Sequence, residues 1–408
     1  MFNKLLKRRN QNLRYISMIR LLRELVNKLV MFFLPIYFFN LHFPFWDQLN
    51  YRLLASGQES LSGLQIGIFN IAILYILQRL TAFISSITIA KLTVKRGTRH
   101  AFIMGHFLYA LFVVLLLLSQ QQPYWAFLAM VIDGLQVNYF WNSYYYFLSR
   151  HSAHTNMGSN LGSLNLLLNI ITMIAPALGG LIIGHIDYQL LFLLGLILIG
   201  LGMILAILLD NVKVHDRISW PEFLSWMNEP GFRRLAGTFA GRYLNDAMLN
   251  LWPLYVFILL GSTDSVGWLY SLSLLLAMII NYAMGSRLDQ QKSRKPYVLS
   301  GGVLSVCWLM RSFVGSIWSI AVVNTLHKIT ASYHWLFFDR TWLLRGKGRE
   351  SLSYLTYREM IYSLAAVSFW VLVFFLFYFF QDAWQALFAL AAVGVLLTLL
   401  VREHQGDI

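Results

Sequence analysis

Apolar residues run in blocks of about twenty along nearly the whole chain, separated by short polar stretches, which is the pattern of repeated membrane-spanning helices. Twelve such blocks are predicted, at 17–42, 61–86, 101–119, 123–148, 160–184, 188–209, 234–260, 265–287, 297–315, 317–340, 356–380 and 383–401. Stretches such as Leu108 to Ser119 and Leu364 to Phe380 are apolar on every face, which suits lipid rather than water. The fourth and tenth blocks differ. The fourth carries Asp133, Gln136, Asn138, Tyr139, Trp141, Asn142 and Tyr144 to Tyr146, and the tenth carries Asn324, His327, Lys328, Tyr333, His334, Trp335 and Asp339. Ionisable groups at membrane depth are expensive and normally face the protein interior or a wet path, so these two spans are expected to line one. The three consecutive tyrosines wind around their helix, and at most two of them face the same way.

Composition sharpens this into a class. Of the 408 residues, 58% are hydrophobic and only 12% are charged, about half the charged fraction of a soluble domain. The pattern is that of an all-α polytopic membrane protein. No signal peptide of the usual form is read at the start: the first 23 residues are basic and run straight into the first span. The single cysteine, Cys307, excludes an intrachain disulfide and a cysteine metal cluster. There is no metal-ligand spacing, no phosphate-binding glycine loop and no nucleophile–base arrangement, so neither an enzyme nor a cofactor is expected. The net charge of +14 raises the question of a nucleic-acid partner. Its placement answers it. With both termini in the cytoplasm, 26 of the 32 lysines and arginines fall on cytoplasmic segments and one, Arg52, falls in an outer loop. That asymmetry sets the topology by the positive-inside rule and puts the charge against anionic lipid, with no nucleic acid required. The remaining five, Lys28, Arg79, Arg242, Arg311 and Lys328, lie within spans.

The chain also repeats itself. Glu24 to Phe39 (ELVNKLVMFFLPIYFF) returns as Arg242 to Phe257 (RYLNDAMLNLWPLYVF), matching Asn27 with Asn245, Pro35 with Pro253, Tyr37 with Tyr255 and Phe39 with Phe257. Each copy holds an acid and a base one helical turn apart, in reversed order: Glu24 and Lys28 against Arg242 and Asp246. Either the pairs are local, or Glu24 meets Arg242 and Lys28 meets Asp246 across a pseudo-twofold axis when one side closes. Further on, Ala90–His100 aligns with Gly285–Lys295, Asp133 with Lys328, and Asp187 with Asp382. Asp133 and Lys328 then lie at similar depth and either pair with each other or bond locally. The organisation expected is a six-helix unit over 1–209, a cytoplasmic linker over 210–233 and a second six-helix unit over 234–408. The linker stretch Ser219–Phe232 interleaves Trp, Phe and Leu as an interfacial helix does.

Twelve spans in a six-plus-six parallel repeat, cytoplasmic termini and a central linker resemble the major facilitator superfamily over essentially the whole chain. After the second span that family usually has Gly-x-Leu-Ala-Asp-Arg-x-Gly-Arg-Arg. The second-half copy here keeps Gly285, Asp289 and Arg294 but has Gln290 for an arginine, and the first-half copy keeps Gly97 and Arg99 but has Ala90 and Val94 for the glycine and the aspartate. Ala175 to Gly180 (APALGG) is similar to the Gly-Pro-x-x-Gly-Gly motif of the drug–proton antiporters. The resemblance implies that spans 1, 4, 7 and 10 line a central cavity, with Asn138, Tyr139, Asn142, Tyr145, His327, Tyr333 and Trp335 facing substrate. Glu24, Lys28, Asp133, Arg242, Asp246, Lys328 and Asp289 are then the coupling or gating groups. The activity implied is secondary active transport of a small organic, amphiphilic solute by alternating access. Protons are the expected coupling ion, efflux is favoured over uptake, and the protein is expected as a monomer in the cytoplasmic membrane. The alternative is a non-transporting receptor or scaffold of the same fold, to which Val94 in the first gating motif lends weight.

Overall fold

The computed structural model describes residues 2–151, 157–288, 294–345 and 351–401. It places a helix over each of the twelve predicted blocks, with one extra helix in the first outer loop and one in the linker. In chain order these are α1 (Phe2–Leu29), α2 (Leu34–Phe39), α3 (Pro44–Ala55), α4 (Gly63–Arg96), α5 (Thr98–Ser119), α6 (Trp125–His151), α7 (Met157–His185), α8 (Tyr188–Leu208), α9 (Trp220–Asn228), α10 (Pro230–Leu260), α11 (Thr263–Leu288), α12 (Lys295–Met310), α13 (Ile317–Arg345), α14 (Ser351–Phe379) and α15 (Trp384–Thr398). Six stretches of helix among the described residues are long and apolar enough to cross a membrane by length and composition alone. The fourth and tenth spans, α6 and α13, are not among them. Their polar residues dilute the apolar signal, as befits helices that turn one side away from lipid.

The first span is broken. Pro35 has no N–H to donate and its ring collides with the preceding turn. The helix gives way to a 3-10 turn at Met31–Phe33 before resuming as α2. The matching Pro253 sits inside the unbroken α10. In the first outer loop, α3 lies over the end of the first six spans, tied down by buried Trp46, whose indole N–H donates to Asn70 Oδ1 at 2.7 Å. The matched Asp187 and Asp382 turn out to be capping groups: Asp187 accepts from Leu190 N at 2.8 Å and Asp382 from Trp384 N at 3.2 Å. Each meets free N–H groups at the start of the last helix of its repeat.

Helix packing repeats between the first six spans and the last six. α1 lies on α7 and α8, as α10 lies on α14 and α15; α5 packs on α6 and α8, as α12 packs on α13 and α15; and α4 on α6 is matched by α11 on α13. The two sets meet along α4 with α14 and α7 with α11. The second seam is tight because it is built on small residues, which let backbones approach closely. A Cβ on Gly180 would stand 2.7 Å from Thr263 O, and one on Gly267 would stand 2.4 Å from Pro176 O. Gly179 and Gly180, the end of the Pro-x-x-Gly-Gly stretch, thus serve close packing here. Pro176 disturbs the helix it sits in, and Ala177 N is satisfied from the neighbouring helix by Ser271 Oγ at 3.1 Å.

The linker binds both sets. Asp210 accepts from Asn12 Nδ2 at 2.8 Å, and Asn211 accepts from Arg99 N at 3.2 Å while donating to Arg96 O at 2.9 Å. Asp216 then accepts from Leu352 N at 2.6 Å at the start of α14, and Ser353 Oγ donates to Arg217 O at 2.9 Å. Val94, in the place of the family's aspartate, packs into an apolar cluster that includes Val214 and Ile218 of the linker and Val401 beyond α15. Ile16 and Ile19 of α1 cluster with Leu209, so both ends of the chain lie at the linker end of the molecule. The helix α9 is two-faced, with Phe223 buried and Leu224 exposed.

Gly97 is where this strap grips. Its φ is +89°, and a Cβ there would lie 2.0 Å from Asn211 Oδ1. Gly97→Ala is expected to destabilise the fold by about 1–3 kcal/mol through backbone strain and loss of the Asn211 bonds. Thermal unfolding should register it, with faster proteolysis within 210–219. An unchanged midpoint and an unchanged cleavage rate would show that the strap carries no stability.

Candidate functional site

The interior charges arrange themselves as two linked networks and one cluster that lacks a counter-charge. In the first six spans, Arg23 Nη2 donates to Gln136 Oε1 at 2.6 Å, and Gln136 Nε2 donates to Asp133 Oδ1 at 2.6 Å. Gln78 Nε2 closes on the other oxygen of Asp133. Asp133 is wholly buried, and the Arg23 guanidinium lies 3.8 Å from the Phe140 ring centre and 4.6 Å from that of Tyr109. Nearby, Arg20 Nη1 meets Glu24 Oε2 at 2.5 Å, while Lys28 Nζ is 3.7 Å from Glu24 Oε1. Arg20 and Arg23, read in the sequence as part of the basic tail, are therefore interior groups.

The second network crosses between the two sets of helices. Arg79 of α4 pairs with Glu359 of α14 at 3.6 Å. Its guanidinium stands 5.4 Å from the ring centre of Tyr243 and 5.6 Å from that of Tyr362. Tyr362 OH donates to Asp246 Oδ2 at 2.7 Å, Arg242 Nε donates to the same oxygen at 2.8 Å, and Asn245 Nδ2 reaches Asp246 Oδ1 at 3.1 Å. Arg242 also lies over the Trp335 indole at 3.7 Å. The Asp246 side chain keeps 26% of its surface exposed, in contrast to the sealed Asp133.

The third grouping is cationic. Lys328 Nζ donates to Tyr270 OH at 2.6 Å and has no carboxylate within ion-pair distance among the described residues. Arg311, 1% exposed, is held between Trp308 and Trp252 at 3.8 and 4.3 Å from their ring centres. Among the described residues its Nε and Nη1 have no hydrogen-bond partner, nor has either ring nitrogen of buried His327. Those two indoles are themselves oriented by Asn245, 2.9 Å from Trp308 Nε1, and by Asn324, 2.7 Å from Trp252 Nε1.

These positions answer the questions the sequence left open. Asp133 and Lys328 each bond locally, and so do the two reversed pairs: Glu24 stays with Arg20 and Lys28, and Arg242 with Asp246. Asn138 donates to Ala82 O at 2.7 Å and to Ser85 Oγ at 3.1 Å, so its amide joins α6 to α4. Tyr139 packs with Ile89, Ala101 and Leu108. Asn142 is buried with Nδ2 unpartnered, and Tyr333 is partly buried against the apolar cluster at the linker end. Tyr145 faces the other set of helices, 5.2 Å from the Trp342 ring centre, with Arg358 over both rings at 5.3 and 4.2 Å. Asp289 lies outside the described residues. Glu359 and Gln78 went unnoticed in the sequence, although one signal was there. Arg79 is the only charged residue of the second span and Glu359 the only acid of the eleventh, and a lone charge in lipid needs a lone partner.

Comparison with known proteins gives the architecture its place. Among solved structures, the human organic anion transporter MFSD10 (TETRAN) superposes with a TM-score of 0.70 at 12% identity, covering 97% of this chain and 99% of that one. A POT family transporter in complex with 5-aminolevulinic acid gives 0.65 at 13% identity, over 95% and 94% of the two chains. A variant of the nucleoside transporter NupG gives 0.64 at 10%, over 95% and 98%. At such identities the likeness is one of fold. No curated protein matches the sequence. The family model described as Major Facilitator Superfamily matches residues 16–226. This chain, a multi-pass membrane protein with the transporter fold and not an enzyme, belongs to the Major Facilitator Superfamily.

Proposed function

We propose that this secondary transporter moves a small organic, amphiphilic solute between its two sets of six helices by alternating access, with protons as the coupling ion. The observation that carries the reading is Asp246. It is a partly exposed carboxylate at membrane depth, held by Arg242 beside it and by Tyr362 of α14. A rocking motion that parts this carboxylate from Arg242 and Tyr362 gives it different partners in the two states, as a coupling group requires. Opening toward the linker end requires Tyr145 to leave Trp342 and Arg358. Both termini belong on the cytoplasmic side by the distribution of lysine and arginine, and the protein acts as a single chain in the cytoplasmic membrane. Export is the direction favoured by the similarity of Ala175–Gly180 to the antiporter motif.

Purified protein in proteoliposomes tests this. Solutes are chosen by their ability to raise the melting temperature, since a ligand that binds the folded state raises apparent stability. Such a solute is expected to exchange across the membrane and to accumulate when a pH gradient is imposed. A solute that stabilises the protein yet neither exchanges nor accumulates would favour the receptor reading, which rests on Val94 in the first gating motif.

A further inference from the structure

The paired networks account for Asp133, Glu24, Asp246 and Glu359, but not for the excess of positive charge around Lys328. Taking a charge out of water costs several kcal/mol unless it is paired and hydrogen-bonded. Here Lys328 follows His327, whose ring meets the Trp308 that holds Arg311, and among the described residues neither cation has a carboxylate within ion-pair distance. Among the described residues the Lys328 ammonium is held by the Tyr270 hydroxyl and the Tyr270 ring, 4.3 Å from Nζ to its centre. Arg311 is held by two indoles and stands at the C-terminal end of α12, where a helix favours positive charge. Two of its nitrogens still have no acceptor. Lys28 of α1 lies one helical turn before Phe32, on the side of the first span that meets α11, and it shares Glu24 with the nearer Arg20. Tyr270 also meets Phe32 of the first span, ring centres 4.6 Å apart. The cluster therefore spans the seam between the two sets of helices, and aromatic rings surround it. Buried guanidinium N–H groups with no acceptor, beside an ammonium with no carboxylate, are what an anion would satisfy.

We infer that Lys328 and Arg311, with Lys28, form the binding site for the anionic group of the transported solute, which displaces the Tyr270 hydroxyl from the ammonium while its apolar body lies against Phe32, Trp252 and Trp308. The inference rests on the transport reading above and adds to it the charge of the substrate. A planar carboxylate or a sulfonate suits the guanidinium fork, and the ammonium supplies the second contact. His327, buried beside Trp308 with ring centres 5.4 Å apart, adds a neutral donor once an acceptor arrives.

The test uses one apolar skeleton with different head groups: 2-naphthoate, naphthalene-2-sulfonate, 2-naphthalenemethanol and 2-naphthylmethylamine. Binding to the full-length purified protein is measured by titration and by the shift in melting temperature. The two anions are expected to bind and stabilise, and the alcohol and the amine are not. Lys328→Met and Arg311→Gln are each expected to weaken anion binding by about tenfold or more, and Lys328→Arg to retain most of it. Tyr270→Phe keeps the ring and removes the hydroxyl, giving a variant for the case in which a charge substitution fails to fold. It is expected to bind anions at least as well, because it frees the ammonium. Equal binding of all four compounds, no binding of either anion, or parental anion affinity in Lys328→Met would each overturn the inference. A protein that transports a neutral solute and ignores the anions fails here alone. A protein that binds the anions and moves nothing across a membrane fails the transport reading alone.

Discussion

Replacing Asp246 with asparagine is expected to abolish accumulation driven by a pH gradient while leaving solute exchange at or near the parental rate. Exchange needs only that the loaded protein pass between its two conformations. Accumulation needs a group that takes up a proton on one side and gives it up on the other. Asp246 meets that requirement in position and surroundings: its side chain is 26% exposed and its carboxylate is shared by Arg242, Asn245 and Tyr362. Asp133 does not. It is wholly buried and fixed by Gln78 and Gln136, within a network that also holds Arg23. Asp133→Asn is therefore expected to lower stability and leave coupling intact in whatever protein folds. The comparison is made in proteoliposomes with and without a pH gradient, measuring both the final internal concentration and the exchange rate. Full accumulation in Asp246→Asn would move the coupling acid elsewhere or replace the proton with another ion.

Glu359→Gln is expected to be the most destabilising single change in the seam between α4 and α14, costing about 3–5 kcal/mol, because it leaves the Arg79 cation buried without its counter-charge. The pair is nearly out of solvent, with side-chain exposures of 15% and 6%. Around it the seam is aromatic: Tyr75 stacks on Trp370 at 4.7 Å, and Phe69 meets Phe374 at 4.3 Å. A buried ion pair is often worth no more than well-packed apolar groups of the same size. The double variant Arg79→Met with Glu359→Leu should accordingly recover most of the lost stability. A double-mutant cycle on melting temperature separates the pair from its surroundings. Should each single variant and the double variant differ from the parent by less than about 1 kcal/mol, the bridge would belong with exposed, weakly contributing pairs.

Much of this was legible in one dimension. The helices over the twelve apolar blocks, the polar character of the fourth and tenth, and the recurrence of Pro35 as Pro253 all follow from residue type and spacing. Hydropathy over about twenty residues reports whether a helix meets lipid, and that property belongs to the segment itself. The matched Asp187 and Asp382 were visible as a repeat. Their capping role needed only the start of a helix after each, which the sequence also implied.

What the tertiary structure decided was partnership. The sequence offered Glu24 two bases, Lys28 and Arg242, and nothing in its spacing ranks them. In the folded chain it pairs within its own helix, with Arg20 at 2.5 Å and Lys28 at 3.7 Å. The same geometry sends Asn138 into the α4 contact and away from a cavity, and draws Arg23 out of the apparent basic tail into the interior. It also separates Asp133 from Lys328, whose matched positions suggested a pair. Depth along a helix axis is set by position in the sequence, but the direction a side chain faces is shared with every helix packed against it. Hence charges at equal depth can be neutralised in one region and left in excess in another, as around Lys328 and Arg311.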